Sequence, residues 1–287
     1  MMKLYFMLVR RIPPEESPVL REVFSTLRRR GFEIESGIAE ELVSLPDRLA
    51  PSHDLYVLKS HTQLSLSIAG VLDSQGARIL NPYASCAATQ NKIVASRRLA
   101  AAGVPAPRCW VTGDLALMRS IAEKRPLIIK PYLGHRGAGI HIVRDPDQLG
   151  AVAPEGPVLI QEYVQGSGED LKVYVVGDRV FAVRKAFSPT SFAQPGRACS
   201  VDSAVRDIAL RCGKAFGLGL YGLDVIESPD GPVVVDLNFF PGYKGVQGVA
   251  PLIAEYIEAY AHERQCQLVP ESDSDRQREN LACEVPE

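Results

Sequence analysis

Apolar residues along this chain follow two rhythms, short unbroken runs and runs spaced three or four apart. LYFMLV (4–9) is an apolar run of strand length, and residues 18–30 then place Val19, Leu20, Val23, Phe24 and Leu27 on one helical face, stopped by Gly31. DLYVLK (54–59) reads as a second strand, 63–72 as a helix and 77–80 as a third strand ahead of Asn81-Pro82. Strand and helix in turn over residues 1–85 predict a small parallel α/β lobe. Open parallel sheets place ligands beyond the carboxyl ends of their strands. Lys59, Ser60 and His61 fall at such an end, and read equally as ordinary surface polar residues.

The next stretch opens on a helix over about 87–102, closed by Gly103, Pro105 and Pro107. Trp110 and Val111 begin a strand and Asp114 caps the next helix. PLIIKP (126–131) is a buried strand ending in Lys130, followed by the glycine-rich turn GHRGAG (134–139) and the strand IHIV (140–143). VLIQEYV (158–164) has the character of a hinge strand, and GSGED (166–170) is a turn. LKVYVV-GD-RVFAVRKAF then reads as a hairpin turning on Gly177, with Lys172 and Arg184 on its two strands. A helix over 201–216 leads to GLDVIES, a PDGP turn, VVVDLNFFPGYKGV (233–246) and a last helix over 250–265. These elements divide into an N-terminal α/β substrate lobe (1–85), a central unit (86–165), a C-terminal unit (166–267) and a polar tail (268–287) expected to be disordered.

Composition narrows the class. The chain has 287 residues, 46% of them hydrophobic, enough to core two or three units, and a net charge of −2 that draws it neither to nucleic acid nor to an anionic membrane. The N-terminal apolar run is too short for a signal peptide, and Arg10 and Arg11 follow it rather than precede it. No stretch approaches the roughly 20 apolar residues of a membrane helix. The six cysteines, at 86, 109, 199, 212, 266 and 283, have no close pair, and the five histidines form no metal pattern. Reduced thiols in a cytoplasmic protein are the expectation.

Two features carry chemistry. A strand lysine followed by a glycine-rich hairpin loop suits phosphate, because small residues let backbone N–H groups approach and lysine neutralises charge. It is not a P-loop, since GxxxxGK[ST] is absent and no helix follows. The stronger feature is Asp236 with Asn238, two apart and so on one strand face, beside Asp224 on a strand that the PDGP turn brings alongside. Three oxygen ligands short of a full cage suit Mg²⁺ that keeps water and phosphate oxygens.

In order and spacing, Asn91-Lys92, IIKP, the loop 134–139, QEYV, KVYVVGD, GLDVI and DLNFFPG resemble the ATP-grasp superfamily, over the chain up to about residue 265. The resemblance implies an α+β and α/β architecture, an ATP-grasp fold behind an N-terminal parallel α/β lobe. It implies that Lys92 and Lys130 meet ATP phosphates, that the loop with Gly137 and Gly139 closes over them, and that Gln161, Glu162 and Val164 flank the adenine. Glu169 or Asp170 would take the ribose, Lys172 and Arg184 would stabilise the transferring phosphoryl group, and Asp224, Asp236 and Asn238 would hold one or two Mg²⁺, or Mn²⁺. The partner is a small-molecule acceptor, with homo-oligomerisation left open.

Two branches of the superfamily compete for the acceptor. FPGYKGV, Lys59 and KVYVVGD resemble inositol polyphosphate kinases of ATP-grasp type, which phosphorylate a hydroxyl. RKAFSPTSFAQPGRACS lacks the arginine–serine–asparagine stretch of RimK-like ligases, whereas GHRGAGI is closer to the ligases' glycine loop. The kinase is the first expectation and a RimK-like carboxylate–amine ligase the alternative. Lys59, His61, His135, Arg136, Lys185, Gly242 and Lys244 are the residues expected to cradle the acceptor.

Overall fold

The computed structural model describes residues 1–10, 17–133, 139–154, 156–186 and 196–263. The first lobe runs β1 (Lys3–Leu8), α1 (Pro18–Arg29), β2 (Glu33–Ile38), β3 (Leu55–Leu58), α2 (Gln63–Ser74) and β4 (Ile79–Leu80). Its four strands are parallel in the order β2-β1-β3-β4. Leu4, Phe6, Leu55, Val57 and Leu58 are fully buried, and α1 brings Val23 and Leu27 to the same core. The sequence reading missed β2. EIESGI is an edge strand with partly exposed residues, so it lacks the apolar run that marks β1 and β3.

Next come α3 (Tyr83–Gln90), α4 (Lys92–Ala101), β5 (Cys109–Thr112), α5 (Arg119–Ala122), β6 (Leu127–Pro131), β7 (His141–Val143) and β8 (Val158–Glu162). The single helix expected over 87–102 is two, broken at Asn91, whose side chain accepts from the N–H groups of Ile93 and Val94 and caps α4. Strands β5-β8-β6-β7 form an antiparallel sheet. One face, with Leu127, Ile129, Val158 and Ile160, packs on Leu115 and Met118 as a separate core. Cys86, Ala88, Ala95 and Leu99 of α3 and α4 instead join the larger core.

The last unit runs β9 (Glu169–Val176), β10 (Arg179–Ala186), β11 (Arg197–Cys199), α6 (Ser203–Phe216), β12 (Leu220–Ser228), β13 (Gly231–Phe239) and α7 (Val249–His262). Its antiparallel sheet has the order β11-β10-β9-β12-β13. The face carrying Leu171, Val173, Tyr221 and Leu223 meets α6, where Tyr221 Oη donates to the Ala209 carbonyl at 2.7 Å. The opposite face is left for chemistry.

The first lobe and this sheet share one continuous core. Buried Asn81 stitches them: its Oδ1 accepts from the N–H of Gly219 (2.9 Å) and of Leu220 (3.1 Å), and its Nδ2 donates to the Leu220 carbonyl (2.8 Å). Arg78 donates to the Ala261 carbonyl of α7 at 2.7 Å. No helix among the described residues is long and apolar enough to cross a membrane.

Candidate active site

Strand register builds the site. Lys172 on β9 lies opposite Asp224 on β12, and Asp224 lies opposite Asp236 on β13, so three charged side chains stand in one row across three strands. Lys172 Nζ is 2.8 Å from Asp224 Oδ2 and 3.5 Å from Asp170 Oδ2. Asn238, two residues beyond Asp236, shares its face and donates to Asp236 Oδ2 at 3.3 Å. From the first residue of α4, Lys92 reaches Asp236 Oδ1 at 3.4 Å.

Lys130 closes the arrangement from the other sheet. It stands on the β6 face turned away from the central body's core, only 7% exposed, and Nζ donates to the Val235 carbonyl at 3.2 Å. The two antiparallel sheets therefore meet through a lysine beside the acidic pair.

Charge and burial pull these groups in different directions. Burial raises the Asp224 pKa; Lys172 opposes that and the Asp236 carboxylate adds to it. Burial acts the same way on Asp236, but Lys92, Lys130 and the Asn238 amide outweigh it and the pKa falls. Burial lowers Lys130 despite the two aspartates, whereas Lys172, also penalised by burial, is raised by its pairing with Asp224 and Asp170. Two part-buried carboxylates on facing strand positions, one resisting ionisation, fit a hard divalent cation that would relieve their repulsion.

The central sheet carries a second sign of fit. Gln161 of β8 shares the cleft face with Lys130, is 7% exposed, and its buried Oε1 has no hydrogen-bond partner among the described residues. An orphaned acceptor of this kind suits a ligand amine. Glu162 points its carboxylate to the other face, where it pairs with Arg125 at 2.8 Å, and its N–H donates to the Arg108 carbonyl at 2.9 Å. Val164 is half-buried just past β8. Gly139 has φ 71°, a conformation that favours glycine. His135, Arg136 and Gly137 of the glycine loop lie outside the described residues, as does the tail 268–287.

Two sequence expectations need correction. Arg184 lies opposite Leu171 and so projects from the sheet face away from Lys172, where it forms a bidentate pair with Glu227. Glu169 shares that face and lies 4.0 Å from Arg184, which leaves Asp170 on the cleft side. Lys185, opposite Asp170, is a β10 cation on the cleft face. It is 6% exposed, and burial together with Lys172 and Lys244 lowers its pKa. Lys59 and His61 contact β13 and the loop after it: Lys59 Nζ donates to the Phe240 carbonyl at 2.6 Å, and the His61 ring stacks on Phe239. Gly242 is exposed, and a Cβ there would meet nothing closer than Lys244 Cγ at 3.7 Å.

The sequence reading missed how this loop is shaped. Phe240 and Tyr243 have φ of 35° and 50°, a strained region for bulky residues. Buried Tyr243 is held by donating from Oη to the Val175 carbonyl at 2.9 Å. No local signal in FPGYKG announces those angles.

Two antiparallel sheets closing on lysines and a pair of carboxylates on adjacent strands, behind a parallel α/β lobe, define the ATP-grasp class of enzyme. Residues 89–257 match the RimK-like ATP-grasp domain, and the chain belongs to that family. A probable alpha-L-glutamate ligase of Xanthomonas oryzae pv. oryzae (strain MAFF 311018) is 30% identical over 207 residues, 66% of this chain and 70% of the relative. A probable alpha-L-glutamate ligase 1 of Shewanella sp. (strain W3-18-1) is 27% identical over 223 residues, covering 69% and 73%. Among solved structures, the RimK domain ATP-grasp protein of Sphaerobacter thermophilus DSM 20745 superposes with a TM-score of 0.73 at 21% identity, covering 89% of this chain and 99% of that one. The D-cycloserine synthetase DcsG gives a TM-score of 0.72 at 16% identity, over 90% and 99%. The family and its named relatives favour the ligase alternative over the kinase expected first.

Proposed function

We propose that this protein is an ATP-dependent carboxylate–amine ligase. The observation that carries the reading is the Lys172–Asp224–Asp236 row facing Lys130 and Lys92 across the two sheets, in a chain whose named relatives are ligases. Lys92 and Lys130 hold the ATP phosphates, the backbone at Glu162 and Val164 and the Gln161 amide receive the adenine, and Asp170 takes the ribose. Asp224, Asp236 and Asn238 hold Mg²⁺, or Mn²⁺, which when bound neutralises charge on the phosphate oxygens. Lys172 and Lys185 stabilise the γ-phosphoryl group as it moves.

In the first step a carboxylate oxygen of the acid substrate forms a bond to the γ-phosphorus while the bond to ADP breaks. In the second, an amine attacks the acyl carbon, phosphate leaves with the C–O bond electrons, and the amine gives up a proton as the amide forms. Positioning and charge neutralisation are what the first step demands, and the buried lysines supply both. The acid is a small molecule or a peptide carboxylate, and glutamate is the first amine to try because the relatives bear that name.

The test is ADP release over a panel of acids and amines, including glutamate, alongside inositol phosphates, with product masses read for amide or phosphate. ADP formed only when acid and amine are both present, with an amide product, supports the ligase. Phosphorylation of a polyol without any amine overturns it.

A further inference from the structure

We infer that Lys59 and His61, at the end of β3 in the first lobe, are positioning residues that hold the end of β13, and with it Asp236 and Asn238, in register for the metal. Lys59 Nζ donates to the Phe240 carbonyl at 2.6 Å and lies 5.1 Å from the centre of the Phe240 ring. The His61 ring stacks on the Phe239 ring, 4.2 Å between centroids and 28° between planes. Phe239 and Phe240 are the two residues that directly follow Asn238.

The clamp is built on a rigid base. The N–H groups of Lys59 and Ser60 both donate to the Met7 carbonyl of β1, at 3.0 and 2.8 Å. Thr62 caps α2 by accepting from the Ser65 N–H, and Gln90 of α3 donates to the His61 carbonyl at 3.0 Å. The clamped segment is one that needs holding. Phe240 has φ 35°, which costs a bulky residue free energy unless its surroundings impose it. Three contacts impose it here: the Lys59 bond to its carbonyl, its own N–H donating to the Leu220 carbonyl at 2.7 Å, and a ring that is 1% exposed. Release of the carbonyl lets Phe240 relax toward negative φ and rotates the strand end on which the Asn238 amide is aimed.

This inference rests on the metal assignment but not on the identity of the acceptor. It also reverses the role first expected for Lys59, which was to bind an acceptor phosphate. The experiment compares wild type with Lys59→Met, Lys59→Arg and His61→Ala. It measures Mn²⁺ binding to the enzyme–ADP complex by electron paramagnetic resonance, together with kcat and the separate KM values for ATP and acceptor. Lys59→Met should weaken Mn²⁺ and lower kcat by about tenfold or more, the scale of a charge-assisted hydrogen bond, with acceptor KM nearly unchanged. Lys59→Arg should recover most of both, because a guanidinium can donate to the same carbonyl and lie over the same ring. His61→Ala should shift both in the same direction by less, and it carries the test if Lys59→Met does not fold. A rise in acceptor KM with Mn²⁺ binding intact makes Lys59 a substrate ligand and overturns the inference. So does a lowered melting temperature with metal binding and kcat unchanged. Failure of wild type to bind Mn²⁺ in the presence of ADP refutes the metal assignment itself.

Discussion

Lys130 on the central sheet donates to the carbonyl of Val235 on the C-terminal sheet, the residue immediately before Asp236. One side chain thus joins the two halves of the grip beside the paired carboxylates. In the proposed ligase an ammonium so placed would meet phosphates and not the adenine ring. Lys130→Ala is expected to weaken ATP by about ten- to a hundredfold, the scale of a charged hydrogen bond, and adenosine far less. Calorimetric titration of both ligands checks this, and equal losses would move Lys130 out of the phosphate site.

Asp236→Asn should separate folding from turnover. The strand keeps its register and its Asn238 contact, while the cation loses a charged ligand, so ADP formation should drop by at least about a hundredfold with a cooperative melt retained. Steady-state ADP release with circular dichroism melts measures both. Near-normal turnover would sink the metal assignment.

Arg184 and Lys185 are neighbours in sequence and stand on opposite faces of the sheet. Arg184→Ala should leave kcat within about twofold and cost only about 0.2–1 kcal/mol of stability, because its ion pair with Glu227 is partly solvent-exposed. Lys185→Met should cut kcat by about tenfold or more if it stabilises the moving phosphoryl group. Reversed behaviour of the two variants would mean that the hairpin register differs from the one described.

Asn81 satisfies two backbone N–H groups and one carbonyl in a fully buried spot between the first lobe and β12. Asn81→Ala strands the two N–H groups, while the Leu220 carbonyl keeps its bond from the Phe240 N–H, and a loss of about 2–4 kcal/mol is expected in urea unfolding, since buried polar groups without partners bear their desolvation cost. A loss below about 1 kcal/mol would show that water replaces the side chain there.

Most of the order of strands and helices, the shared face of Asp236 and Asn238, and the ATP-grasp superfamily were legible in the chain itself. Each rests on local pattern: the apolar run of IIKP, the amphipathic spacing of 18–30, and the two-residue interval from Asp236 to Asn238 that puts both on one face. Even the Arg184 correction was within reach. A two-residue turn at Gly177-Asp178 pairs Val176 with Arg179, and counting back along both strands puts Lys172 opposite Val183, hence on the face of Lys185. The edge strand β2 was not within reach, because an edge does not need an apolar run. Nor was the membership of α3 and α4 in the larger core, the positive φ of Phe240 and Tyr243, or the hold of Lys59 on Phe240, 181 residues away along the chain. Local spacing determines which face a side chain shares with its near neighbours, whereas the partner that meets it from another sheet or lobe is chosen only when the whole chain packs.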